Sequence, residues 1–144
     1  MPVQTYANHR RTVFLYHAVL MIVLLLTLIG SCVNLYKSFG DHQRLYSAAL
    51  IFVLVLCMIL LAIFARSFAL KAQDRAIRSE ENLRHYVMTG KLLDSRLTIR
   101  QIIGLRFASD AEFVALAKRA ADESLSEDDI KRAITDWRPD TYRV

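Results

Sequence analysis

The chain has 144 residues, 54% of them hydrophobic, and a formal net charge of +5. Most of the apolar residues lie in two uncharged blocks, and only about 50 residues follow the second block and its polar extension, too few for a large soluble core. Cys32 and Cys57 both lie inside the apolar blocks without a CxxC partner, which excludes a disulfide framework and indicates apolar side chains.

The first apolar block covers residues 12–36, which carry no charge. Its length is enough for one membrane-spanning helix with some tilt. Arg10 and Arg11 precede it, and residues 29–32 loosely resemble a lipoprotein cleavage site, so a secretory signal is the alternative. Because the block is longer than the apolar region of a typical signal, we expect a retained span.

Residues 37–44 contain turn-forming Ser38, Gly40 and Asp41 and predict a tight connection between two antiparallel helices. The second uncharged block, residues 45–65, would span about 31 Å as a helix, the hydrocarbon thickness of a bilayer. Residues 45–89 contain neither Gly nor Pro. The sequence therefore predicts a helical hairpin over residues 1–65, whose second helix continues through residues 66–90 into the cytoplasm.

The orientation of this hairpin follows from its basic residues. The predicted turn carries two Lys or Arg residues, whereas the other side carries seven close to the spans. Because Lys and Arg near membrane ends favour the cytoplasmic side, both termini are expected in the cytoplasm.

One stripe of the long predicted helix consists of small residues at alternating steps of three and four: Ala62, Ala65, Ala69, Ala72, Ala76 and Ser79. This spacing is typical of a helix-packing seam, because small residues let a second helix approach closely. High helix propensity of alanine is the alternative explanation. We expect the first span to cover the membrane end of this seam, and a second copy or the C-terminal region to cover its outer part.

Residues 91–144 predict three short amphipathic helices that form a small bundle. Thr98 with Gln101 and Ser109 with Glu112 match capping boxes, and Ser126 is the expected cap of the third helix. That third helix is predicted to extend as far as Trp137. The fold class is thus all-α: a transmembrane hairpin, an extended second helix and a three-helix C-terminal bundle.

Few residues suggest chemistry. His17 lies within the first span and is the one candidate cofactor ligand, although a hydrogen-bonded interfacial histidine fits its position better. No metal-ligand spacing, phosphate loop or nucleophile with a base is found, so we expect neither enzymatic activity nor a cofactor. Basic residues near the spans are candidates for contact with lipid headgroups: Arg10, Arg11, Arg66, Lys71, Arg75 and Arg78.

A membrane-tethered DNA-binding protein is a weaker alternative. Residues 110–123 and 127–137 are joined by a turn of helix-turn-helix size. However, the second of these helices would begin with Glu127, Asp128 and Asp129, and attraction to phosphates dominates such binding. We therefore do not expect nucleic acid as a partner.

Several local sequences are shared with a known group of proteins: residues 6–10, 15–17, 65–71, 73–75, 77–78, 105–110 and 137–138. Through them the chain resembles a family of uncharacterised small bacterial two-pass membrane proteins with a domain of unknown function. The resemblance implies two spans and a bacterial inner membrane, and it implies no activity, cofactor or catalytic residue.

Together these features predict a non-enzymatic integral membrane protein. We expect an accessory, assembly or scaffold subunit that binds another membrane protein, or itself, through the small-residue seam. The alternative is a membrane-anchored regulator whose cytoplasmic helices bind a soluble partner or nucleic acid.

Overall fold

A computed structural model describes residues 4–8 and 12–140, and it confirms the all-helical fold class. A π-helical segment, Leu15–Leu20, continues into α1, and four further helices follow. Their bounds are Met21–Lys37 (α1), His42–Thr89 (α2), Ile99–Leu105 (α3), Asp110–Asp122 (α4) and Glu127–Ala133 (α5). The described residues form two compact units, residues 12–69 and residues 4–8 with 70–140. Residues 70–89 of α2 therefore belong to the same unit as the C-terminal helices.

The first unit is built from α1 and the apolar part of α2. Gly40, at φ +99°, lies in the turn between them, where a residue without Cβ avoids strain. Asp41 then caps α2, because its Oδ1 accepts hydrogen bonds from the backbone N–H groups of Gln43 and Arg44, each at 3.2 Å. These contacts explain why α2 begins at His42, three residues before the uncharged block.

The two helices of this unit are long and apolar enough to cross a membrane. On α2, the least exposed positions of this unit recur at steps of three and four, and they include Ala48, Val55 and Ala62. The Tyr16 hydroxyl donates a hydrogen bond to the carbonyl of Ala62, which places this face of α2 against the segment that leads into α1. The remaining apolar side chains are mostly exposed, since only 6% and 11% of the two apolar windows are buried.

The second unit has a continuous apolar core. Its largest fully buried side chains are Phe107, Phe113, Ile102, Leu105 and Ile130. The apolar face predicted for α4 is confirmed, because its buried residues are Phe113, Leu116, Ala117, Ala120 and Ala121. Residue Ile77 of α2 belongs to the same core. The three C-terminal helices therefore contact one another, as predicted, and their shared core also includes Ile77 of α2.

The ends of these helices agree in part with the sequence. Gly90, at φ +73°, ends α2, and Thr98 and Gln101 form the predicted capping box of α3. The capping box predicted for α4 is wrong, because the Ser109 side chain makes no cap bond. Glu112, its expected partner, instead accepts hydrogen bonds from the backbone N–H groups of Thr135 and Asp136, at 3.2 and 3.1 Å.

The third helix is shorter than predicted. Ser126 caps α5 as expected, but α5 ends at Ala133 and does not reach Trp137. The chain bends at Thr135 and Asp136, and Trp137 then forms an antiparallel bridge with Ala108. The ring centroids of Trp137 and Phe107 are 5.2 Å apart. Backbone bonds to the α3–α4 connection thus replace the last helical turn.

Candidate functional site

The small-residue seam predicted on α2 is only partly covered. Ala62 is half-buried beside Tyr16, and Ala69 is half-buried as well. Ala65 is exposed. Farther along the helix the three outer members, Ala72, Ala76 and Ser79, are exposed too. The outer half of the seam thus has free surface, and Leu83 and Tyr86 extend it with exposed large side chains.

The C-terminal helices pack on a different face of α2 from the seam. Ile77 and Glu81 are 6% and 5% exposed, and Arg84 lies on the same side. We had expected either the C-terminal region or a second copy to cover the outer seam. The C-terminal region contacts the face of α2 that carries Ile77, Glu81 and Arg84, and so it does not cover the outer seam.

Arg84 is the centre of the polar contacts on this face. Its guanidinium pairs with Glu81 at 3.0 Å and with Asp110 at 2.6 Å, and its Nη2 donates to the Ala108 carbonyl at 2.7 Å. The guanidinium also lies 4.2 Å from the ring centroid of Phe113. Residues on α2, at the start of α4 and in the preceding connection are thereby held together by one side chain that is 11% exposed.

The i,i+4 spacing along α2 would favour pairs of Glu80 with Arg84 and of Glu81 with His85. The structure shows different partners for these charges. In the structure Arg84 bonds Glu81, and the His85 Nδ1 lies 2.7 Å from the Lys91 carbonyl. Spacing within α2 could not reveal Asp110, a residue distant in sequence whose carboxylate binds Arg84 and links it to the C-terminal helices.

The N-terminal residues supply a contact that the sequence did not suggest. The Gln4 side chain accepts a hydrogen bond from the Asp140 backbone N–H at 2.7 Å. The Arg132 guanidinium lies 5.5 Å from the ring centroid of Tyr6. Asp140 also pairs with Arg106 at 3.1 Å, where burial lowers the pKa of Arg106 and the charge of Asp140 opposes that effect. Residues from both ends of the chain thus lie in one unit.

The basic residues predicted to contact lipid are accessible where they are described. Lys71, Arg75 and Arg78 are exposed, and Arg66 is half-buried. Arg10 and Arg11 lie outside the described residues. The arrangement leaves the three exposed cations free to meet an anionic surface or a charged partner.

His17, the candidate cofactor ligand, lies in the π-helical segment and is exposed. Its Nδ1 is 3.1 Å from the Val13 backbone nitrogen and 3.0 Å from the Val13 carbonyl oxygen, and its ring lies edge-on to Tyr16. Among the described residues, no three His, Cys, Asp or Glu side chains are close enough to hold a metal ion. The local contacts fit a histidine that is bonded to its own helix.

A family model described as a family of unknown function (DUF6526) matches residues 1–144. Comparison with curated proteins and with solved structures gives no match.

Proposed function

The chain belongs to this family of unknown function, and we propose that it is a non-enzymatic integral membrane protein. It acts as an accessory or assembly subunit that binds another membrane protein, or a second copy of itself, through the exposed outer part of the seam. The observation that supports this proposal most directly is that Ala72, Ala76 and Ser79 face outward on the same helix whose first part is long and apolar enough to span a membrane.

Membrane insertion is supported by the exposed side chains of the first unit. Leu26, Leu54 and Leu61 are each 61% or 62% exposed, and they represent a surface that is apolar along both helices. Transfer of each such side chain from water to an apolar environment would be favourable by about 1.5–3 kcal/mol. Exposed Tyr36 and Tyr46, which flank the turn, are of the type that lies at a membrane–water interface.

A common side for both chain ends is supported by the contacts of Gln4 with Asp140 and of Tyr6 with Arg132. Two chain ends on the same side of a membrane require an even number of spans between them, and the two proposed spans meet this requirement. The excess of Lys and Arg on that side favours the cytoplasm, and the family resemblance implies that the membrane is a bacterial inner membrane.

Orientation can be tested with single cysteines in a Cys32→Ala, Cys57→Ala background. Phe39, in the turn, and Lys118, on α4, are both exposed. We expect a membrane-impermeant thiol reagent to label Phe39→Cys in intact cells and to label Lys118→Cys only after lysis. Labelling of Lys118→Cys in intact cells would reverse the orientation, and labelling of both would exclude insertion of the hairpin.

Partner binding can be tested by extracting the tagged full chain from native membranes with a mild detergent and measuring its complexes by native mass spectrometry. Ala72→Glu places a charge on the seam, whereas Lys71→Glu introduces the same side chain at the neighbouring exposed position off the seam. We expect a discrete complex that is lost in Ala72→Glu and retained in Lys71→Glu. A monomeric wild-type chain, or equal loss in both variants, would contradict the proposal.

The alternative is a membrane-anchored regulator that binds a soluble partner or nucleic acid. Its nucleic-acid form gains little from the geometry, because the first turn of α5 consists of Glu127, Asp128 and Asp129. Three carboxylates at that end would repel phosphates.

A further inference from the structure

The last turns of α2 bury two charged side chains and expose three large apolar ones. Glu81 and Arg84 lie inside, with 5% exposure of Glu81 and 11% exposure of the Arg84 side chain. On the other side, Leu83, Tyr86 and Val87 are 63%, 53% and 75% exposed. Large apolar residues that cluster on an exposed face are typical of a surface that another molecule covers.

This exposed face points away from the C-terminal helices. Ile77 marks the buried face, and Ser79 and Leu83 are rotated from it by about 200° and 240° at the helical angle per residue. The residues Ala72, Ala76, Ser79, Leu83 and Tyr86 follow one another at alternating steps of four and three, the spacing of a coiled-coil seam. A second helix can therefore approach without displacing the C-terminal core.

The charged residues beside this face indicate which partner helix can bind it. Arg75 and Glu80 are both exposed, and they flank the seam on opposite sides, one residue before Ala76 and one residue after Ser79. In a parallel coiled coil Arg75 is at a g position and Glu80 is at the e position five residues later. A g residue of one helix faces the following e residue of the partner helix across the seam. Two identical helices in register would therefore place each Arg75 opposite the other copy's Glu80.

We propose that the face formed by Ala72, Ala76, Ser79, Leu83 and Tyr86 binds a second copy of this chain, with the two α2 helices parallel and in register. This inference rests on the proposed function, because insertion of both hairpins in one membrane makes the helices leave it in the same direction. An antiparallel pair would place g positions opposite g positions and e positions opposite e positions, so Arg75 could not face Glu80 of the other copy. The surface is thus complementary to itself in one orientation only.

The seam from Ala72 to Tyr86 is only about two heptads long, too short for a stable coiled coil between free peptides. Confinement of the two chains by their spans raises the effective concentration of the helices and compensates for the short seam. We therefore expect dimers of the full chain in a bilayer.

The test uses disulfide formation in native membranes that contain the full chain with Cys32→Ala and Cys57→Ala. Ser79→Cys places the thiol in the centre of the seam, and Arg78→Cys is the matched control, since residue 78 is exposed and lies off the seam. Two thiols bridge only when their Cα atoms are within about 7 Å. With mild oxidation, we expect a covalent dimer of twice the chain mass for Ser79→Cys and at least about tenfold less for Arg78→Cys.

Charge reversal tests the register. Each single variant, Arg75→Glu or Glu80→Arg, converts two attractive contacts into two repulsive ones, and we expect it to lower the crosslinked fraction of Ser79→Cys about fivefold. The double variant Arg75→Glu/Glu80→Arg restores both attractive contacts and should restore the crosslink. Loss of crosslinking in the double variant would contradict the parallel register.

The outcomes separate this inference from the proposed function. Equal crosslinking of Ser79→Cys and Arg78→Cys would indicate random collision and overturn the dimer. A Ser79→Cys product of a different mass, formed with another membrane protein, would overturn the second copy as the occupant and leave the accessory role intact. No product, together with a monomer after mild extraction, would overturn both.

Discussion

Replacement of Arg84 by methionine tests whether the polar contacts on α2 hold the C-terminal helices in place. Methionine keeps the length and the apolar stem of the side chain but has no group to bind Glu81, Asp110 or the Ala108 carbonyl. The Glu81 side chain is 6% exposed, and its other cationic neighbour, Arg138, is 3.7 Å away and half exposed. The variant would therefore leave a buried carboxylate with one weak partner.

The expected cost follows from this burial. Removal of one member of a buried ion pair costs about 3–5 kcal/mol, because the other charge stays buried without its partner. The exposed partner, Asp110, can regain water and adds little. Loss of the bond to the Ala108 carbonyl adds about 1 kcal/mol. We expect Arg84→Met to lower the free energy of unfolding of this unit by about 4 kcal/mol.

The double variant Glu81→Leu/Arg84→Met removes both charges and separates this effect from packing. Replacement of a buried pair by apolar residues of similar size is often neutral or stabilising. We therefore expect the double variant to lose at most about 2 kcal/mol, less than Arg84→Met alone. Arg78→Met, at an exposed position, is the matched control and should change stability by less than about 0.5 kcal/mol.

The chain has a single tryptophan, Trp137, which is partly buried and packs against Phe107 of the C-terminal core. Its fluorescence reports the unfolding of this unit by urea in detergent micelles, and the midpoints give the free-energy differences. A loss of less than about 1 kcal/mol in Arg84→Met, or a double variant less stable than Arg84→Met, would refute the account of the buried pair.

Three further changes follow from the same unit. Gly104→Ala should destabilise it by about 1–2 kcal/mol in urea unfolding, because the new Cβ would lie 3.2 Å from both the Glu127 carbonyl oxygen and Ile130 Cγ2, and this crowding exceeds the gain in helix propensity. Gly90→Ala should cost about 1 kcal/mol for a different reason, since φ is +73° there and no neighbouring atom lies within 4 Å of the added Cβ. Burial acts to raise the pKa of Glu112, but hydrogen bonds from Thr135 and Asp136 outweigh it, so the pKa is lowered from 4.5. The stabilisation by Glu112 is therefore full above pH 4.5 and is lost as pH falls further. In Glu112→Gln, the urea midpoint should depend less on pH over that acidic range. A wild-type midpoint that does not fall below pH 4.5 would exclude this role for Glu112.

The sequence predicted those parts of the fold that depend on local pattern. The apolar blocks, the length of α2 without Gly or Pro, and the face of α4 from Phe113 to Ala121 are all set by residues close in sequence. The caps at Thr98 and Ser126 are local as well, and both were confirmed. Such features require no knowledge of distant contacts.

The features that the sequence did not predict depend on distant contacts. Glu112 was expected to cap its own helix, but it binds Thr135 and Asp136, more than twenty residues later. Trp137 was expected in α5, but its backbone pairs with that of Ala108. In each case a local partner of similar chemistry was available, so spacing alone could not reject it.

The same limit explains why the two faces of α2 were assigned incompletely. The i,i+4 spacing favours pairs of Glu80 with Arg84 and of Glu81 with His85 along the helix, yet burial of Glu81 with Arg84 turns Leu83 and Tyr86 outward. Because the C-terminal helices and the exposed seam use opposite faces, changes in one should not affect the other. Arg84→Met should loosen the core around Trp137 without altering the charges beside the seam, whereas Glu80→Arg should reduce association and leave the Trp137 unfolding midpoint unchanged. If Glu80→Arg lowered that midpoint as well, Glu80 would belong to the fold of this unit, and its proposed pairing with Arg75 of a second copy would lose its basis.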